Sequence, residues 1–159
     1  MLFRSRHASG AGRGVETYFL NFANNLSAAG VAARENAASG QAMGALPDFV
    51  KAIALNNKLD ESRDFATQVQ RAMIEKLRAQ NKLIKDLGVK QAPFVVLIGA
   101  NMPSVLAEIC FISNPQDEKL VRTPENRQAI AQSLFEGVRS YAESLSGTKT
   151  AKAQDTKSN

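Results

Sequence analysis

Tryptophan is absent from the 159 residues, and cysteine and histidine occur once each, as Cys110 and His7. A single cysteine excludes an intrachain disulfide and leaves the redox compartment undecided. A single histidine excludes any metal site that takes two imidazoles from this chain. Aromatic residues make up only 6% of the sequence, so few rings are left on which exposed bases would stack. No apolar run approaches the roughly 20 residues that cross a bilayer. No segment joins a basic start, an apolar core of about 7–15 residues and a small-residue cleavage site. The sequence therefore shows no transmembrane segment and no visible signal peptide. Internal repeats and blocks of like charge are also missing.

Apolar residues make up 44% and charged residues 22%, which is the balance of one globular domain with a real core. The formal charge is +5 and the isoelectric point about 9.6. Much of the excess lies toward the two ends, in Arg4, Arg6, Arg13, Lys149, Lys152 and Lys157. Spread in this way, it argues against a nucleic-acid footprint.

Along the chain, Leu2 to Ala8 reads as a weak strand and SGAGRG as a flexible loop. Val15 to Leu20, VETYFL, alternates β-branched and aromatic residues as a strand does. Asn21 to Gly44 lacks a sustained apolar period, and we expect helix over Val31 to Ala38 with loop elsewhere. Pro47 opens a helix whose apolar face is Phe49, Val50, Ile53 and Ala54. Ser62 caps the longest predicted helix. Phe65, Val69, Met73 and Leu77 recur along it at four-residue spacing, and Ile84 and Leu87 carry the face on to Gly88. Such a stripe is core packing.

Beyond Gly88 the pattern changes. Pro93 to Ala100, PFVVLIGA, reads as a strand covered on both faces, and Val105 to Ile112 as a second. Thr123, Pro124 and Glu125 open a last helix with Ile130, Leu134, Val138, Tyr141 and Leu145 on one face. Residues 146–159 hold no apolar side chain larger than alanine after Ser146, and the expectation is a disordered tail. Strands mixed with long helices imply an α/β architecture, a central mixed sheet flanked by helices.

Glu108 interrupts the second strand, in VLAEICFISNP. A buried carboxylate must be paired, protonated or bound to a cation, because an isolated charge in an apolar site is costly. Two readings stay open: a structural ion pair or cap under a neighbouring arginine, or a general base whose basicity is raised by burial. Cys110 shares a face with Glu108 by strand parity, and a small buried cysteine is usually a packing residue.

The stretch KQAPFVVLIGANMPSVLAEICFISNPQDEKLVRTPENRQAIAQSLFEGVRSY resembles the C-terminal part of the zinc-dependent N-acetylmuramoyl-L-alanine amidases, the amidase_3 family of cell-wall hydrolases. GVETYFLNFA and VAARENA are similar to that family's middle region, and ESRDFATQVQ to the start of its long helix. The most specific segment is SVLAE followed by FISNP. The resemblance implies a peptidoglycan hydrolase that cleaves the amide between N-acetylmuramic acid and the L-alanine of the stem peptide by zinc-activated water. It places the catalytic glutamate on Glu108 and one zinc ligand on His7. It also implies periplasmic or cell-wall localisation and an activator protein as a possible partner.

The departures are specific. LFRSRHASG carries arginines where the family's LFVSIHAN has apolar residues. No DPGHGG-type segment is found, and the upstream ligand glutamate has no matching position. Residues 1–145 are therefore expected to form the C-terminal two-thirds of an amidase_3-like catalytic domain, without its first strand and helix. Zinc is expected to bind weakly or not at all. For His7 the bland reading is an exposed histidine near the terminus. The competing function is a non-catalytic amidase-like domain that binds peptidoglycan or regulates a complete amidase.

Overall fold

A computed structural model of the chain describes residues 3–5, 13–38, 53 and 58–155, with the side chains of 3–5 and 147–155 excepted. Among the described residues, β1 (Phe3–Ser5), β2 (Val15–Leu20), β3 (Asp86–Ala92) and β4 (Leu106–Phe111) form one sheet in the order β1-β4-β2-β3. β4 runs parallel to β1 and antiparallel to β2, and β2 runs parallel to β3. The expected mixed sheet is present, and the strand that carries Glu108 is internal to it.

All six residues of β2 are buried, because helices cover both of its faces. On one face Val15 and Ile109 pack against Val69, Met73 and Leu77 of α2 (Leu59–Gln80) and against Ala129 and Ile130 of α4 (Pro124–Asp155). Burying a Met or Leu side chain contributes roughly 1.5–3 kcal/mol, so the four-residue stripe of α2 is the main attachment of helix to sheet. Gln70 adds a polar pin to this contact. It accepts from the Thr17 hydroxyl at 2.8 Å and donates to the Val15 carbonyl at 3.0 Å and to Asp86 Oδ1 at 2.6 Å. On the other face Tyr18, Leu20 and Leu106 meet Ala28, Val31 and Ala32 of α1 (Leu26–Ala38), together with Phe94 and Leu97. The Tyr18 and Phe94 rings meet edge to face, with centroids 4.8 Å apart.

Several elements differ from the sequence reading. The long helix starts at Leu59, so Ser62 lies inside it, buried, where its Oγ accepts from the Ser104 N–H at 3.1 Å. The helix ends at Gln80 rather than running on to Gly88, because Asn81 turns extended while its N–H still bonds the Leu77 carbonyl. The third strand is the polar Asp86–Ala92, and PFVVLIGA forms a 3-10 turn over Val95–Leu97 instead of a strand. The physical reason is twofold. β3 ends the sheet order and is only half-buried, so it tolerates DLGVKQA. Pro93 has no N–H to donate to a ladder, and the apolar residues after it plug the core under α1. Gly88, at φ +80°, sits where two residues of β3, Leu87 and Gly88, oppose the single Glu16 of β2, a bulge that favours glycine.

α1 begins ahead of Val31, with Asn25 Oδ1 accepting the Ala28 N–H at 2.8 Å. A separate short helix, α3 (Pro115–Arg122), is capped by Asn114 and starts on a proline. α4 continues past Leu145 as helical backbone to Asp155, into the stretch expected to be disordered. The helix expected from Pro47 lies largely outside the described residues, of which only Ile53 is described, and that side chain is buried.

Candidate active site around Glu108

Glu108 is the third residue of β4, with Phe3 of β1 as its register partner on one side and Glu16 of β2 directly opposite on the other. Cross-strand partners project from the same face of a sheet, so the two carboxylates share the α1 side with Tyr18 and Leu106. Both are buried, Glu108 to 0% exposure and Glu16 to 2%.

Their surroundings differ. Glu16 is satisfied at both oxygens: the Tyr18 hydroxyl donates to Oε1 at 2.7 Å, and the Lys90 ammonium of β3 forms an ion pair with Oε2. Lys90 Nζ also lies 5.9 Å from the centroid of the Tyr18 ring. Glu108, by contrast, has no hydrogen-bond partner at either oxygen among the described residues. The groups that act on it are carboxylates. Burial, then the charges of Glu35 on α1 and of Glu16, push its carboxyl up to about 8. Burial also raises the Glu35 carboxyl, with Arg34 partly opposing it. The Tyr18 phenol is driven far above its ordinary range by burial and by Glu16. The arginine considered as a structural partner for Glu108 is not found beside it among the described residues.

Such a carboxyl exchanges protons close to neutral pH, which is what a general acid or base requires. Its placement rests on an irregular end to β4. Cys110 takes φ +65°, a left-handed conformation unusual for a residue with a side chain. Phe3 pairs with Glu108 but Ser5 with Phe111, so β4 carries an extra residue at this point. Strand alternation breaks there. Cys110 joins the core cluster of Ile109, Val69 and Leu77, and so does not continue the Glu108 face that parity implied. Burial, then Asp117, pushes the Cys110 thiol up to about 12, which leaves it protonated and poorly suited to bind a metal as thiolate.

His7, the ligand position implied by the resemblance, lies outside the described residues. Among the described residues no group of three His, Cys, Asp or Glu side chains is arranged to hold a metal ion. With one histidine in the sequence, the described residues do not by themselves make a zinc site.

Glu16 and Asp117 escaped the sequence reading. Glu16 carried a usable signal, since it interrupts VETYFL as Glu108 interrupts LAEICF. Asp117 carried a weaker one, the third helical position after a capping asparagine, where an acidic side chain commonly reaches back toward the chain.

The profile of the family Amidase_3, N-acetylmuramoyl-L-alanine amidase, matches residues 3–140. The chain is 32% identical over 148 residues to N-acetylmuramoyl-L-alanine amidase AmiC of Neisseria meningitidis serogroup B, a match covering 88% of this chain and 35% of that protein. It is 44% identical over 69 residues to AmiA of Escherichia coli K12, covering 43% of this chain and 24% of AmiA. The matched stretches thus span about a third or less of these relatives. The fold superposes with a TM-score of 0.55 on the CwlD amidase of Clostridioides difficile, solved in complex with the GerS lipoprotein. That superposition covers 88% of this chain and 51% of CwlD at 15% identity. The chain belongs to the N-acetylmuramoyl-L-alanine amidase family.

Proposed function

We propose that this chain carries the general base of a peptidoglycan amidase and that Glu108 is that base. The bond cleaved is the amide between the lactyl group of N-acetylmuramic acid and the L-alanine of the stem peptide. One observation carries the reading: a fully buried carboxyl in an internal strand, with both oxygens unpartnered among the described residues and its affinity for protons raised. Membership of the amidase family supports it.

In this mechanism the Glu108 carboxylate takes a proton from water as the water oxygen adds to the amide carbon. The proton then passes to the leaving nitrogen as the carbon–nitrogen bond breaks, freeing the amino group of L-alanine. A proton acceptor with a pKa near the working pH suits both halves of this exchange. Glu16, neutralised by Lys90 and Tyr18, stays out of the transfer and lines the same face.

Zinc is the cofactor that the family resemblance implies, and we expect this chain to hold it weakly or not at all. Peptidoglycan is the proposed substrate, and periplasm or cell wall the proposed site of action. The lipoprotein bound to CwlD supports a search for a protein partner that acts as activator.

The test is release of stem peptides from purified sacculi, read by mass spectrometry, with the full chain supplied with zinc salt. The unaltered chain should free intact peptides that begin with L-alanine. Glu108→Gln should free none while unfolding at no lower a temperature. Binding of peptidoglycan without release would instead indicate the non-catalytic domain, and undiminished release by the Gln variant would remove Glu108 from the mechanism.

A further inference from the structure

Asp117 is a further fully buried carboxylate, with 0% exposure on the first turn of α3. Its helix position is that of a capping box, but its side chain reaches past the capping residue. Oδ2 accepts two backbone N–H groups, that of Gly14, 103 residues away, at 2.9 Å and that of Phe111, at the end of β4, at 3.0 Å. Arg13 Nε lies 3.4 Å from Oδ1 and supplies the compensating charge. Between the two clamped residues the Cys110 N–H donates to the Gly14 carbonyl at 2.9 Å. Gly14 is itself confined: it sits at φ +118°, and a Cβ there would lie 2.2 Å from the Lys85 carbonyl oxygen.

These bonds close around the left-handed Cys110. The next paired residues along both strands are Val15 with Ile109 and then Glu16 with Glu108. A strand that slips by one residue turns each side chain to the opposite face; the extra residue of β4 lies in its pairing with β1, while its pairing with β2 runs without a shift from Tyr18–Leu106 up to Val15–Ile109, next to the clamped Gly14. We propose that Asp117 is a positioning residue for Glu108: by clamping the Gly14 and Phe111 amides it ties the start of β2 to the end of β4 and thereby holds the register that sets Glu108 opposite Glu16. This rests on the reading of Glu108 given above, yet it concerns geometry that exists without substrate.

The experiment is therefore a carboxyl-carbon NMR titration of Glu108 in the full chain, with the resonance assigned by its loss in Glu108→Gln. In the unaltered chain the midpoint should lie near 8, under the influence of Glu16 and Glu35. Asp117→Ala should bring it down by at least one pH unit toward that of ordinary glutamate. Asp117→Asn, whose amide oxygen can still accept both N–H groups, should keep it raised, and so should Arg13→Ala, which removes only the ion pair. A folded Asp117→Ala chain with an unmoved midpoint overturns the proposal, because a purely structural role would leave Glu108 untouched. Should that variant not fold, Asp117→Asn and Arg13→Ala decide the matter, and a fall in either midpoint overturns it. Failure of peptide release in the sacculus assay counts against the proposed function alone, since this titration does not depend on turnover.

Discussion

Glu16 and Glu108 face each other across β2 and β4, and among the described residues only Glu16 has a cation beside it. Two carboxylates on one buried face cannot ionise independently, because each charge disfavours the other. The Lys90 ammonium and the Tyr18 hydroxyl both serve Glu16. Glu108 has burial and its carboxylate neighbours instead, which raise its affinity for a proton.

Stability should therefore fall as pH rises. Below its ordinary value of 4.5 Glu108 is protonated both folded and unfolded, and its own contribution to stability is fully present. From there up to about 8 the unfolded chain gives up this proton while the folded chain keeps it. Thermal midpoints should drop between pH 5 and pH 8, and Glu108→Gln should flatten that drop. Parallel curves for the two proteins would show that Glu108 does not titrate in this window.

Removing the cation from the pair should be costly. Lys90→Ala leaves Glu16 charged and buried with the Tyr18 hydroxyl as its remaining partner, and we expect a loss of roughly 3 kcal/mol in urea unfolding at pH 7. The double variant with Glu16→Gln should recover part of it. A double variant no more stable than Lys90→Ala would mean that the ammonium acts through packing on Tyr18 instead.

Metal content gives a separate check. After dialysis the chain should retain well under one equivalent of zinc by elemental analysis, since imidazole is available only from His7. Stoichiometric zinc that survives dialysis would mean that a complete ligand set assembles around this chain.

Gly137 offers a prediction of opposite sign to helix propensity. Alanine in a helix interior is favoured over glycine by about 1 kcal/mol. A Cβ at 137 would, however, approach the Val69 backbone to 2.7 Å, where α4 crosses α2. Gly137→Ala should therefore lower the thermal midpoint, and a raised midpoint would show that the two helices can part without cost.

Much of the fold was legible because burial leaves a period in the sequence. The stripe of Val69, Met73 and Leu77 marked α2, and VETYFL marked β2. β3 was hidden because a strand paired on one side and half exposed needs no apolar pattern, while PFVVLIGA looked like a strand because a core plug is equally apolar. In the site, Glu108 announced itself as a charge inside a buried run. Asp117 did not, because its partners are backbone N–H groups, one of them 103 residues away, and amides have no residue type to read. The broken alternation at Cys110 is equally invisible, since a left-handed backbone at cysteine leaves no mark on composition.

The connectivity of the sheet also sets when the site can come into being. Asp117 is 103 residues beyond Gly14, the glycine it clamps, and β4 is flanked by two strands that precede it by most of the chain. A ribosome delivers β1 and β2 early, and they must wait for β4. Pairing over such separations is slow compared with helix formation. A chain whose synthesis has reached only β2 would thus hold Glu16 without the strand that sets Glu108 opposite it. The facing carboxylates, on this architecture, come together only once β4 has been made.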